Sequence, residues 1–282
     1  MNHRIDAILG QATEQLVASG SETARLDAEL LLSHILRKPR AFLFTWPDKT
    51  LDKGQQSRFY ALIQRRGDGV PVAYLTGEKS FWDIQLTVNE HVLIPRPDTE
   101  LMVELALSLP VPDDGIVVDL GTGSGAIALA MASQKPNWQV LATDKSEQAL
   151  STAKANAEGN GIHSVQFFLG SWCEPLAGKQ LNMIVTNPPY IREDDPHLKT
   201  GDVRFEPLPA LVSGADGLDD IRHIIQASPS LLLPGGWLLI EHGYEQGKAV
   251  AQLLERQGFC SVRTRKDLAG LERVTLGCFC LP

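Results

Sequence analysis

A chain of 282 residues, 43% of them hydrophobic and 21% charged, carries enough apolar material for one α/β domain plus a smaller module. Its net charge of -8 argues against a nucleic-acid binder that draws its affinity from broad phosphate neutralisation, unless that charge is strongly segregated. Met1 to Gly20 has no apolar core of signal-peptide length, and Leu231-Leu232-Leu233 is far too short to cross a bilayer, so no membrane association and a cytoplasmic location are expected.

In chain order, Asn2 to about Gly69 has a helical pattern, clearest in the amphipathic run Ala24 to Leu36, and predicts a small helical bundle over residues 1–70. Residues 1–75 carry ten Lys/Arg against eight Asp/Glu and the remainder sixteen against twenty-six, so +2 and -10 add to the -8 of the whole. Arg37-Lys38-Pro39-Arg40 and Arg65-Arg66 suit an acidic partner, and solvated helix ends explain them equally well. Phe42, Phe44 and Trp46 read first as core or hinge packing and second as a partner surface. Phe81 to Val88 alternates as a hairpin strand does, which puts a linker with a β-hairpin at 71–96 and the main domain at 97–282.

Gly115 to Leu120 is a buried-strand pattern followed at once by Gly121-Thr122-Gly123-Ser124-Gly125 and a helical run, Ala126 to Ala132. Glycines let a backbone approach a ligand closely, and free amides at a helix start face outward, so the turn is expected to cradle a dinucleotide or another adenosine-containing cofactor. Asp119, expected at the mouth of this turn, separates the two candidates. Like charges about 4 Å apart at an effective dielectric near 20 cost about 4 kcal/mol, which penalises a pyrophosphate and suits a cationic cofactor. The next strand, Gln139 to Thr143, ends in Asp144, 21 residues after Gly123, the spacing at which a carboxylate meets ribose hydroxyls; capping of the following helix is the competing role.

A helix (Glu147 to Glu158), a strand (Ser164 to Leu169) and a loop with Trp172 lead to the strand Leu181 to Thr186, which delivers Asn187-Pro188-Pro189-Tyr190. Two prolines fix φ and remove two backbone donors, so local carbonyls stay free to accept, and an Asn before proline is held extended. The loop therefore reads as a grip for a planar NH2 group, against the plainer reading of a proline turn with Tyr190 as cover. A helix from about Gly217 to Ala227, a turn at Pro234-Gly235-Gly236, the strand Trp237 to Glu241, a helix Gly247 to Gln257 and closing strands near 260–265 and 273–280 complete seven strands.

Together the glycine turn with Asp119, the strand-ending Asp144 and Asn187-Pro188-Pro189-Tyr190 resemble the class I S-adenosylmethionine-dependent methyltransferases that act on exocyclic or amide nitrogens. Pro71 to Gly77, Leu93 to Glu100, Phe205-Glu206-Pro207 with Asp216-Gly217-Leu218, and Asp267 to Gly270 with Arg273 make the chain similar, nearly end to end, to the release factor glutamine methyltransferases. The resemblance implies an α/β fold with a seven-stranded Rossmann-like methyltransferase sheet and a small helical bundle that recognises the substrate. It implies S-adenosylmethionine as cofactor and, as substrate, the glutamine of the Gly-Gly-Gln motif in bacterial class 1 peptide chain release factors. By the same resemblance Gly121 to Gly125 (with Thr122 and Ser124) wrap the methionine part, Asp119 and Asp144 serve the cofactor with Asp144 on the ribose, and Trp172 covers the adenine. Asn187 and Pro188 accept from the substrate amide, while Pro189 and Tyr190 wall it. Ser171 stands where relatives often place an acidic residue, which removes a carboxylate contact to the adenine amine.

An amide nitrogen is a poor nucleophile because its lone pair is delocalised, so two acceptors on its N–H bonds and close alignment are the chemistry required, without a catalytic His. His242, beside Glu241, reads as a loop residue rather than a ligand. Cys173, Cys260, Cys278 and Cys280 lack paired C-x-x-C spacing, so reduced thiols and no metal are expected. Release factors are the expected partners of a monomer that does not contact nucleic acid directly. The competing functions are methylation of an exocyclic amine on DNA or RNA, methylation of a glutamine in a ribosomal protein, and a noncatalytic adenosine- or dinucleotide-binding module.

Overall fold

Helical periodicity at the start of the chain resolves, in the computed structural model, into α1 (Ile5–Ala18), α2 (Ala24–Leu36), α3 (Arg40–Thr45), α4 (Lys53–Gly67) and the short α5 (Val72–Thr76). The structure describes residues 3–280. Contacts divide the chain into two units, 1–78 with 197–205, and 79–196 with 206–282. In the first, Ile5, Ile8, Leu9, Ala12 and Leu16 form one face of α1 and bury against Ala28, Leu31 and Leu32 of α2 and Phe59 and Ile63 of α4. Asp52 starts α4 with a capping box, accepting from the Gln55 amide while the Gln55 side chain accepts from the Asp52 amide. Buried Asp27 is held by Ser21, Thr23 and Arg66, and Arg66 also binds Asp202 at 2.7 Å. The preference for core packing at 42–46 holds for only part of the segment. Leu43 takes the buried position, while Phe44 and Trp46 are 57% and 48% exposed because the short α3 turns them outward.

The second unit opens with a two-stranded sheet, β1 (Glu78–Phe81) and β2 (Ile84–Thr87), the latter alternating buried and exposed. After α6 (Glu100–Ser108) come β3 (Ile116–Leu120), α7 (Ala126–Gln134), β4 (Gln139–Asp144), α8 (Glu147–Gly159), β5 (Val165–Leu169), β6 (Leu181–Thr186), α9 (Asp219–Ala227), β7 (Leu232–Glu241), α10 (Gly247–Arg256), β8 (Phe259–Lys266) and β9 (Glu272–Phe279). The seven-stranded sheet has the order β5-β4-β3-β6-β7-β9-β8, parallel as far as β7 and antiparallel through β9 and β8. Strands covered on both faces read as continuous apolar runs, as β3 and β6 do. α7 is apolar all round because Ala126 to Ala132 is wholly buried.

Two expectations are corrected. Pro234-Gly235-Gly236 does not end an element but bulges inside β7, since Leu232 pairs with Leu181 and Trp237 already with Met183. Cys260 and Cys280 are not free thiols: their sulfurs are joined, twenty residues apart in sequence but brought together by the β8–β9 pairing.

Candidate active site

β3 and β6 are neighbours in the sheet, with Leu120 in register with Thr186, so the loops that leave their carboxyl ends emerge side by side. Thr186 ties them with a hydroxyl bond to the Leu120 carbonyl at 2.8 Å. A cavity of about 260 Å3 opens there, lined by Gly121, Thr122, Gly123, Ser124, Asp144, Trp172, Asn187 and Pro189 among the residues singled out in the sequence. Asp119, Gly125, Pro188 and Tyr190 are outside that lining.

Gly121, Gly123 and Gly125 adopt φ of 73°, 57° and 86°, the left-handed region that disfavours side chains. A Cβ at Gly121 would meet the Trp172 ring at 2.8 Å, whereas one at Gly123 would meet nothing within 4 Å, so the second glycine faces open space. Asp144 closes the turn, accepting from the Gly123 amide and the Ser146 amide, each at 2.9 Å. Ser146 caps α8, so the helix-cap role considered for Asp144 belongs to its neighbour. Asp119 lies beneath the turn rather than at its mouth: it is 1% exposed and accepts from the Thr122 hydroxyl and the Ala128 amide. Burial pushes its carboxyl up to about 7, and its Oδ1 has no hydrogen-bond partner. Trp172 holds a left-handed backbone (φ 45°), costly for a bulky residue, and its ring is fixed by an indole bond to Asp220 at 3.1 Å.

The second loop is clamped downstream of its prolines. The Tyr190 and Ile191 amides both donate to the Leu211 carbonyl, and the Tyr190 carbonyl accepts from Gln246 at 3.0 Å. Gly217 (φ 76°) packs so tightly below that a Cβ would lie 2.2 Å from the Tyr190 oxygen. Asn187 Nδ2 donates to the Thr99 hydroxyl at 3.3 Å. Glu241, at the end of β7, is 1% exposed and faces Thr99 and Asn187; burial raises its carboxyl to about 7, and its Oε2 has no hydrogen-bond partner. The Tyr190 phenol is raised by burial and by Glu241, so it stays protonated. His242 is fully buried on Thr275 and the Gly243 carbonyl, a structural histidine.

The sequence reading missed a further wall, Val92, Leu93, Pro95, Arg96, Thr99, Pro207, Pro209 and Ala210. Arg96 and the Ile94 amide both engage the buried Glu206 carboxylate, which joins the Leu93-Ile94-Pro95-Arg96 and Phe205-Glu206-Pro207 motifs. Those motifs were the available signal. Their separation of more than a hundred residues hid the partnership.

A cradle of left-handed glycines, an acid closing it, an aromatic wall and a seven-stranded sheet with a reversed final strand define a class I S-adenosylmethionine-dependent methyltransferase, and these residues fit that cofactor. Family models of the PrmC N-terminal domain and the methyltransferase small domain match residues 7–77 and 98–203. The release factor glutamine methyltransferases of Vibrio cholerae and Escherichia coli are 53% and 47% identical to this chain, covering 98% and 95% of it and 97% and 96% of their own lengths. The chain belongs to the release factor glutamine methyltransferase family. A solved methyltransferase from Pyrococcus furiosus, 16% identical, matches with a TM-score of 0.55 over 82% of this chain and 100% of its own, a likeness of fold. Among the described residues no helix is long and apolar enough to cross a membrane.

Proposed function

We propose that the chain methylates the side-chain amide nitrogen of the glutamine in the Gly-Gly-Gln motif of bacterial class 1 peptide chain release factors, as a cytoplasmic monomer that makes no direct nucleic-acid contact. The observation that carries this reading is the presence of Asn187 and Pro189 in the same cavity as the glycine turn after β3. S-adenosylmethionine supplies an electrophilic methyl group on a sulfonium. The glycine turn would receive its methionine part, Asp144 its ribose and Trp172 its adenine.

Asn187 directs its NH2 toward Thr99, which leaves Oδ1 to accept one N–H of the incoming amide; the Pro188 carbonyl, although Pro188 is outside the cavity lining, is assigned the other. Two acceptors suit a nitrogen whose positive charge grows as it loses conjugation, the inverse of donors around an oxyanion. Pro189 in the cavity lining walls the group, Tyr190 next to it is assigned the same wall, and the bonds to Leu211 and Gln246 keep that backbone still. Alignment of this kind accounts for roughly 7 to 11 kcal/mol in favourable intramolecular systems, a ceiling here. The methylated amide cation is acidic enough to release its proton to water, so no histidine is assigned. The helical unit, with exposed Phe44 and Trp46 and Lys49 against Phe42 and Trp46, is assigned to substrate recognition.

The test is incubation with radiolabelled S-adenosylmethionine and three acceptors: intact release factor, the same factor with its motif glutamine replaced, and nucleic acid. Label on the first alone is the expected result. Equal label on the second, or label on nucleic acid, overturns the proposal.

A further inference from the structure

The antiparallel edge of the sheet gathers three cysteines that methyl transfer does not use. Cys260 of β8 is the register partner of Cys278 on β9, and Cys280 follows two residues later, the period that returns a side chain to the same face. Their three sulfurs lie within 4.8 Å of one another; Cys260 and Cys278 are half-buried and Cys280 is exposed. β8 is bulged immediately after Cys260, where the register slips before Arg263 and Ser261 takes φ 52°. Such bulges re-aim side chains at sheet edges. Cys173 is buried elsewhere, in the core around β3 and β6.

We propose that the reduced cysteines 260, 278 and 280 form a three-sulfur site for one soft d10 cation of the Cu(I) class. Three sulfurs sharing an ion at about 2.3 Å would stand roughly 4 Å apart; the sulfurs here all lie within 4.8 Å with Cys260 and Cys280 joined, so opening that bond has to separate only that pair. Thiolates select soft ions, and a closed zinc site requires a fourth ligand; among the described residues no His, Asp or Glu joins the three sulfurs. The exposed Cys280 provides the entry. The bond between Cys260 and Cys280 is the metal-free oxidised state of the same site. To form it, two thiols give up two protons and two electrons, and a peroxide accepting them leaves as water. Closure removes two of the three ligands, so the disulfide and the ion exclude each other.

The experiment titrates the full, reduced chain anaerobically with Cu(I) against bathocuproine disulfonate, with Zn(II) in parallel. One Cu(I) per chain is expected, retained at least tenfold more weakly by each of Cys260→Ser, Cys278→Ser and Cys280→Ser, and not at all after peroxide until thiols are restored. Cys278→Ser should still lose two thiols to peroxide, and all variants should keep methyl transfer, which reports that they are folded. Retention no better than that of the triple Cys→Ser variant, undiminished binding in Cys278→Ser, or preference for Zn(II) overturns the assignment.

Discussion

Two loops leave the carboxyl ends of the adjacent strands β3 and β6 and reach one cavity by opposite means. The first comes close by lacking side chains, with three glycines in left-handed conformations. The second holds still by lacking freedom, with two prolines and a clamp on Tyr190 from Leu211 and Gln246. Beneath each lies a buried carboxyl with one unpartnered oxygen, Asp119 under the glycines and Glu241 under Asn187. In the proposed function, the cradle made of backbone binds and the single side chain fixed by its neighbours orients. Damage to the two loops should therefore surface in different constants.

The largest effect is expected from Asn187→Ala, which removes the proposed acceptor, one whose contact would matter most in the transition state. Turnover should fall by roughly 10²- to 10³-fold, with cofactor affinity nearly unchanged in an equilibrium titration. Equal turnover would remove Asn187 from the chemistry. Gly121→Ala should act the other way, because the new Cβ meets the Trp172 ring at a backbone φ of 73°. A strain of about 1–3 kcal/mol corresponds to roughly five- to 150-fold weaker cofactor binding, and an unaltered Kd would show that the ring yields. If Asp144 holds the ribose as proposed, Asp144→Ala should weaken the cofactor about tenfold for each 1.4 kcal/mol lost, with kcat at saturation preserved; a lowered kcat at unchanged affinity would move Asp144 out of the binding half.

The smallest effect is on stability. Asp119 and Glu241 both keep protons in the folded state, with carboxyls near 7, that the unfolded chain gives up at ordinary carboxylate values. Stability therefore declines as pH rises from about 4 to 7 and levels off above. Asp119→Asn should flatten that decline in urea midpoints measured across the range. An unchanged slope would show that Asp119 does not carry it.

Local signals were readable from the sequence and remote ones were not. Gly121 to Gly125, Asp144 and the strand before Asn187 announce themselves within a few residues, because glycine spacing and apolar runs are properties of a short window. Thr99 beneath Asn187, Asp220 on the Trp172 indole and Glu206 on Arg96 are 88, 48 and 110 residues from their partners, so no window contains them. Asp119 shows the converse error. Proximity in sequence to the turn suggested its mouth, yet alternation along β3 points the carboxylate inward to Thr122 and Ala128. The glycine pair at 235–236 looked like a terminus because a bulge uses the same residues as a turn.

Gly217 belongs to neither loop, and its hydrogen in place of a methyl leaves the space that the Tyr190 carbonyl occupies. Any side chain there would displace the tyrosine backbone and, through it, the prolines that frame the acceptor. A variant at 217 would thus pass every test of cofactor loading while methylating slowly, and an activity screen alone would mistake a spacer for a participant in the reaction.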